Sequence, residues 1–516
     1  MEDFSVEKKR FYIGKNKFKW HKDQPPVNVR TRKHNIVLTL TGLRPKAKQL
    51  GANPEIEDIL LLLFSEDMIA EVIQWTNVKI IDARKKYKDQ ASPILSTTTA
   101  VFKSENESIE SLFAIDGTGR DVFRCTTAKR RFEFLLTVLR FDDATLRNER
   151  QIEGDPVPHI SKIFNKFIDN SQNAFSIGTN ATVDEMLVAF RGRCKFKIYM
   201  PKKPARYGIK IMCLTDARNN YLYNAYIYAG KGLDSLTLSA NERKLKIPTQ
   251  SVIRLVGPIK KTNRNVAADN WFSSVELVQH LQNRGLTYVG ALKKNQAAIP
   301  PSFQANKNRR LNSSLYGYNN DMTLLSFVPK SSKSVILISS MHHGESTDQE
   351  TGKPEIIAYY NSTKGGVDSL DKKSVNYSPS RRTQRWPTAI FFMLVDVSTI
   401  NAYVLCSSYK HTPKLERADF LKKLARSLVL PQWRVRIANS KLPRELRVTI
   451  ESLCGSTDYS AHSSDVLEDR LEKRATCYRC PPKLKRKTQY GCASCKKPIC
   501  LQCSKKLCIE CVLDRK

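Results

Sequence analysis

Eight of the thirteen cysteines lie in the last 40 residues, as four pairs of the form Cys-x2-Cys. They are Cys477/Cys480, Cys492/Cys495, Cys500/Cys503 and Cys508/Cys511, separated by gaps of 11, 4 and 4 residues. A two-residue spacing lets both thiolates turn toward one ion, and tetrahedral zinc takes four such ligands. Four pairs therefore predict two Zn²⁺ sites. Adjacent pairing would make two tiny independent knuckles, so interleaving is expected, the first pair with the third and the second with the fourth: a two-zinc cross-brace. Four cysteines per ion leave no open coordination position, which makes these sites structural and excludes catalysis at them. Disulfides are the competing reading. The opening Met1-Glu-Asp-Phe-Ser has no apolar stretch of a signal peptide, which argues for a reduced compartment instead. Cys125, Cys194, Cys213, Cys406 and Cys454 are scattered and read as packed thiols.

Charge says what such a chain meets. With 86 Lys and Arg against 50 Asp and Glu, the formal charge is +36. A surplus of that size repels itself and is best explained by a polyanion, nucleic acid first. Residues 1–50 carry 13 basic and four acidic residues, a net of +9, and the tail from Cys477 onward carries 11 and two, also +9. Two zinc ions on eight thiolates would leave the tail near +5. Its densest basic run, Lys483, Lys485, Arg486 and Lys487, is a candidate phosphate contact and nuclear-import signal, so the nucleus is the expected location. Cross-brace modules also serve as ubiquitin-ligase or histone-reading domains, so zinc alone does not decide the function. The most apolar window, Pro387 to Cys406, is interrupted by Asp396 and Asn401 and reads as a buried helix, with no membrane partner expected.

The hydrophobic period divides the rest. Residues 1–35 read as a flexible basic arm. Asn53-Pro54 suits a helix start, and Ile56, Ile59, Leu60, Leu63 and Phe64 follow at helical spacing. Arg131–Leu139 and Ile160–Ile168 are also amphipathic, so 36–179 is assigned to a helical domain. At Asn180 the period becomes two. Residues 181–188, 210–215 and 221–229 read as an antiparallel meander, followed by a strand at 266–269, a helix at 273–284 and a strand at 288–292. Strand, helix, strand implies a parallel pair. The fold class is therefore α/β, with an RNase H-like mixed-sheet core over 180–294 as the leading outline. Residues 295–354, rich in Asn, Ser and Lys, read as an insertion. Residues 355–377 return to the core, with a strand at Glu355–Tyr360 and a helix entered at Lys364–Lys373. Helices resume over 378–455, 456–475 is a linker, and 476–516 is the cysteine-rich domain.

Four carboxylates stand out in this core. Asp184 lies inside an apolar strand, Asp269 at the end of another, and Asp368 and Asp371 at i, i+3 spacing in Gly365-Gly-Val-Asp-Ser-Leu-Asp. A buried unpaired carboxylate is costly, so an Asp in an apolar strand needs a reason. Singly, each is better explained as a capping or edge-strand Asp. Together they are the hard oxygen donors that two Mg²⁺ (or Mn²⁺) ions require for phosphodiester chemistry. Lys372, Lys373, Arg381, Arg382 and Arg385 flank the last block; a grip on the DNA backbone and a solvated basic face fit them equally well. Trp271 and Trp386 are read as core rather than as base-stacking platforms.

Thr182-Val-Asp-Glu-Met, Asp269-Asn-Trp-Phe-Ser-Ser and Tyr360-Asn-Ser-Thr-Lys-Gly-Gly-Val-Asp-Ser-Leu-Asp resemble the three acidic blocks of piggyBac-type transposases. Arg381-Arg-Thr-Gln-Arg-Trp-Pro387 resembles that family's segment after the last block, and the similarity runs from about residue 50 into the tail. The resemblance implies that Asp184, Asp269 and Asp368 are the catalytic metal-binding triad and Asp371 a further important acid. It implies cut-and-paste transposition by a homodimer acting on double-stranded DNA: cleavage at terminal inverted repeats, a hairpin on the excised element, and TTAA target sites. It also implies an insertion domain between the second and third acids, a discontinuous helical dimerisation and DNA-binding domain, and repeat recognition by the tail. The chain departs from the family in two ways. A long acidic N-terminal segment is missing, and the tail ligands are all cysteine. The alternative is a domesticated DNA-binding protein that kept the fold and lost transposition.

Overall fold

A computed structural model describes residues 10–26, 32–84, 108–230, 238–305, 309–455, 470–484, 486–490, 497–500 and 502–504. The chain divides into two compact units, Met1–Gln432 and Trp433–Lys516, with the boundary inside the helix Arg417–Ile437.

The strands, in chain order, are β1 (Phe11–Ile13), β2 (Lys19–His21), β3 (Gly42–Leu43), β4 (Phe175–Ser176), β5 (Asn180–Ala189), β6 (Lys197–Tyr199), β7 (Tyr207–Asp216), β8 (Leu222–Ile227), β9 (Asn265–Ala268), β10 (Thr287–Ala291), β11 (Ser314–Asn319), β12 (Met322–Lys330) and β13 (Lys333–Ser339) in the first unit. The second unit holds β14 (Arg470–Thr476) and β15 (Lys487–Tyr490). Eleven strands form one mixed sheet in the order β1-β2-β11-β12-β13-β10-β9-β5-β7-β6, with β8 also paired to β7. At its centre β5 runs antiparallel to β7 and parallel to β9, and β9 runs parallel to β10. The helix Val275–Gln282 makes the crossover between β9 and β10, started by Ser274, whose hydroxyl accepts the Leu277 amide at 3.0 Å. Every residue of β9 is buried, as expected for a parallel strand covered on both faces.

Residues 295–354 contribute sheet. Strands β11, β12 and β13 form a meander, and β13 pairs antiparallel with β10, so these strands continue the central sheet. The expected basic arm is also partly built in. Strands β1 and β2 form a hairpin, His21 pairs with Tyr318 of β11, and Trp20 is fully buried with its indole N–H on the Ala298 carbonyl at 2.9 Å. Tyr12 and Trp20 supply the apolar anchor that outweighs the surrounding charge. A second correction concerns Glu355–Tyr360, read as a strand: Glu355–Thr363 is a helix. Pro354 sits at its N-cap, and Ile356, Ile357, Tyr360 and Thr363 are its buried residues, a spacing of one, four and seven that belongs to a helix.

The helix Trp386–Cys406 is buried on nearly all sides. Phe391 stacks on Phe141 with ring centroids 4.7 Å apart and meets Phe64 edge-on at 5.8 Å, tying this helix to the N-terminal helical segments. The polar interruption at Asn401 has a use. Its side chain accepts the Leu222 amide at 2.8 Å and donates to the Leu222 carbonyl at 2.9 Å, closing the edge of β8 as another strand would.

Candidate active site and cysteine cluster

Asp184 lies in the middle of β5 opposite Cys213 of β7, and Asp269 immediately follows β9, the parallel neighbour of β5. Asp368 and Asp371 lie in the helix Gly366–Asn376, which packs on β5 and β7. Its docking depends on one glycine. A Cβ at Gly366 would stand 2.5 Å from the hydroxyls of both Thr182 and Thr215, while the Thr182 hydroxyl donates to the Thr363 carbonyl at 2.6 Å. The absent side chain lets the helix start against the two strands that frame Asp184. Gly366→Ala is expected to cost about 1–3 kcal/mol by overpacking, read as a lowered denaturant midpoint. A variant as stable as the wild type would show that this contact relaxes without cost.

The four acids share one electrostatic neighbourhood. Burial, with the charges of Glu185, Asp269 and Asp368, pushes the Asp184 carboxyl up to about 8. Burial, with Asp269 and Asp184 nearby, pushes the Tyr360 phenol well above its ordinary value. Each carboxylate meanwhile has a local partner. Asp184 accepts the Glu185 amide at 2.8 Å, Asp269 accepts the Trp271 amide at 2.8 Å, and Asp368 takes the Lys203 ammonium at 3.2 Å. Among the described residues, no three carboxylate side chains bring an oxygen each within 4.8 Å of one another. This is the expected posture of acids that repel each other and turn to separate donors. The donor set, hard oxygens gathered round a carboxyl whose proton is held by burial and by its neighbours' charge, suits divalent cations.

Sequence reasoning missed two cations here. Lys203, in the loop between β6 and β7, lies 3.2 Å from Asp368 and 3.7 Å from Asp371. Lys210 of β7 pairs with Glu185 at 3.6 Å and sits over the Trp271 ring at 4.4 Å. Neither carries a local sequence signal, because Lys203 is 165 residues from Asp368 in the chain. Trp271 and Trp386 both pack against the core, as expected.

The flanking basic residues divide. Lys372 and Arg382 are exposed, and Arg381 is half-buried. Lys373 donates to the Asn220 side chain at 2.7 Å. Arg385, expected to flank DNA, instead donates to the carbonyls of Thr137 and Leu139 at the end of the helix Lys129–Val138, and burial lowers its pKa to about 10. It caps the end of that helix together with Arg140, whose guanidinium donates to the same two carbonyls at 3.3 and 2.8 Å.

In the second unit, Cys477, Cys480, Cys500 and Cys503 present sulfur atoms that all lie within 4.8 Å of one another. This joins the first pair with the third. The hairpin of β14 and β15 sets the chain direction on either side of Cys477, whose amide donates to the Arg486 carbonyl at 2.8 Å. Cys480 Sγ stands 3.6 Å from Cys500 Sγ and 3.5 Å from Cys503 Sγ, and the Cys500 amide donates to Cys477 Sγ at 3.3 Å. That amide contact is the largest influence drawing the Cys477 thiol down to about 6, so its thiolate is favoured. Four sulfurs at these separations fit tetrahedral zinc. Cys492, Cys495, Cys508, Cys511 and Lys485 lie outside the described residues. Lys483, Arg486 and Lys487 are exposed, and Arg474, Arg486, Lys487 and Tyr490 line a concavity beside Cys500.

The family model described as Transposase IS4 matches residues 57–403. Among solved structures, the chain is similar to a piggyBac transposase synaptic complex with hairpin DNA. The identity is 31% and the TM-score 0.74, over 92% of this chain and 100% of that one. Among curated proteins, human PiggyBac transposable element-derived protein 3 is 21% identical over 312 residues, 57% of this chain and 50% of the relative. The human Chimeric ERCC6-PGBD3 protein is 21% identical over 312 residues, 57% of this chain and 28% of that relative. The chain thus matches half or less of the length of these curated relatives.

Proposed function

Because the chain belongs to the piggyBac-type transposases, within the IS4-like transposase family, we propose that it is a cut-and-paste DNA transposase whose active acids are Asp184, Asp269, Asp368 and Asp371. The observation that carries this reading is the convergence of those four acids, from β5, the residue after its parallel neighbour β9 and one helix packed on β5, on one electrostatic neighbourhood. The strand order β8-β7-β5-β9-β10, with two antiparallel pairs followed by two parallel ones, supports an RNase H-like core.

Asp184, Asp269 and Asp368 would hold two Mg²⁺ or Mn²⁺ ions, which when bound supply activation of the attacking oxygen and stabilisation of the leaving one. Asp371 lies beside them, held by Lys203. The close approach at Gly366 seats the helix that carries Asp368 and Asp371 against β5 and β7, and the half-buried setting of Asp184 raises the worth of every charge near it. Arg382 and Lys372 are exposed near the last acids and suit phosphate contacts. The basic concavity beside Cys500 suits a terminal repeat, with two zinc ions in cross-brace order holding the tail. The likeness to a synaptic complex with hairpin DNA supports a hairpin on the excised end; TTAA targets, a homodimer and a nuclear location complete the proposed reading.

The test is excision of a marked element, bounded by its matching terminal repeats and TTAA, by the full-length protein with Mg²⁺. Precise excision that restores TTAA is expected. Binding of the repeats without cleavage in either Mg²⁺ or Mn²⁺ would instead identify a domesticated DNA-binding protein.

A further inference from the structure

Among the described residues, Lys203 is the one lysine whose ammonium the structure places against two of the four acids. Its Nζ also donates to the Glu185 carbonyl at 3.1 Å, so three acceptors surround a group with three protons. The side chain is 17% exposed although its neighbour Lys202 is exposed. The loop that carries it is closed on itself: Met200 N–H donates to Arg206 O at 2.7 Å, and Arg206 N–H donates to Lys203 O at 3.0 Å. Arg206 takes a left-handed backbone (φ 55°) to complete that turn. A lysine held this firmly is poorly explained as a solvated surface charge.

Charge explains what it does. Four carboxylates in one neighbourhood need a cation to coexist, and Lys203 is in contact with two of them, Asp368 and Asp371. Asp371, 23% exposed, is the more enclosed of its partners, and Asp368, 67% exposed, is free to turn away. We infer that Lys203 is a built-in counter-cation: it holds Asp368 and Asp371 while the site is without metal and releases Asp368 when a divalent ion arrives. It is a positioning residue that acts through the acids and sets their metal affinity. The inference rests on the proposed active site. Its consequence is a competition, since ammonium and divalent ion want the same oxygens and repel each other.

The experiment is a titration of the full-length, zinc-loaded protein with Mn²⁺ in the absence of DNA, reading free Mn²⁺ by electron paramagnetic resonance. Asp368→Asn serves as the control that identifies the site. Lys203→Met is expected to bind Mn²⁺ about tenfold more tightly than the wild type. It is also expected to melt at a lower temperature without metal and to regain the difference when Mn²⁺ is added. Lys203→Arg, which keeps the charge, should stay close to the wild type in both measurements. Affinity that is unchanged or weaker in Lys203→Met, with zinc content and circular dichroism intact, would overturn the inference and leave the active site standing. A lysine that is only a structural strut or only a phosphate contact gives that second result. Wild-type binding that Asp368→Asn fails to remove would overturn the active-site reading along with it.

Discussion

Asp368→Asn is expected to lower strand cleavage by roughly a thousandfold or more while binding of the terminal repeats persists. The substitution keeps the shape of the side chain and removes its charge. Asp368 sits in the first turn of its helix with its side chain 67% exposed, so the change asks nothing of the core. Its effect on folding should stay within about 0.5 kcal/mol, the usual range for a surface position. What disappears is an anionic oxygen beside Asp184, where each charge acts at close range and partly out of water. Cleavage of a labelled element end, measured beside repeat binding and a thermal melt, separates chemistry from folding. Normal cleavage by this variant would refute the metal assignment.

Cys500→Ser is expected to release zinc and unfold the tail while the first unit keeps its stability. The physical reason is the lack of an alternative core. Among the described residues from 470 to 504 whose side chains are placed, Cys477 and Thr488 are the buried ones. A module that small has too little apolar area to fold unaided, and a structural zinc site contributes on the order of 10 kcal/mol to folding. Zinc content, read with a chromogenic chelator after thiol release, should fall by at least the ion held by this cluster. Recognition of the terminal repeats should fall more than binding to random DNA, as it should when the chain is truncated before Cys477. Equal losses on both DNAs would reduce the tail to a generic basic anchor.

Several structural features are legible in the residues because they depend on near neighbours. The β-branched and apolar run around Asp184, the helix over 275–282 and the helix bearing Asp368 are written in local composition and spacing. The Cys477/Cys480 and Cys500/Cys503 grouping follows from the same kind of reasoning, since short gaps limit where each pair can reach. The failures share a cause as well. Glu355–Tyr360 has the β-branched and aromatic composition of a strand, and its burial against the sheet, begun at Pro354, makes it a helix. The N-terminal segment has the charge of a loose arm, and a sheet edge 297 residues along the chain accepts it through His21, while Trp20 bonds to the Ala298 carbonyl, 278 residues away. Arg385 reads as a DNA contact by its place beside the last acidic block, yet it is spent on the carbonyls of Thr137 and Leu139.

The sequence by itself determined the chemistry available to this protein. It supplies hard carboxylates for divalent metal, thiolates for zinc and a cationic surplus for a polyanion, because those properties belong to side chains whatever their surroundings. Tertiary structure decided which charges meet. Only the sheet brings β5 and β9 side by side, only the close approach at Gly366 sets Asp368 and Asp371 over them, and only the turn at 200–206 delivers Lys203 between those acids. Electrostatic interaction at a few ångströms depends on distance and solvent exposure, and neither is a property of residues as they are spaced along a chain.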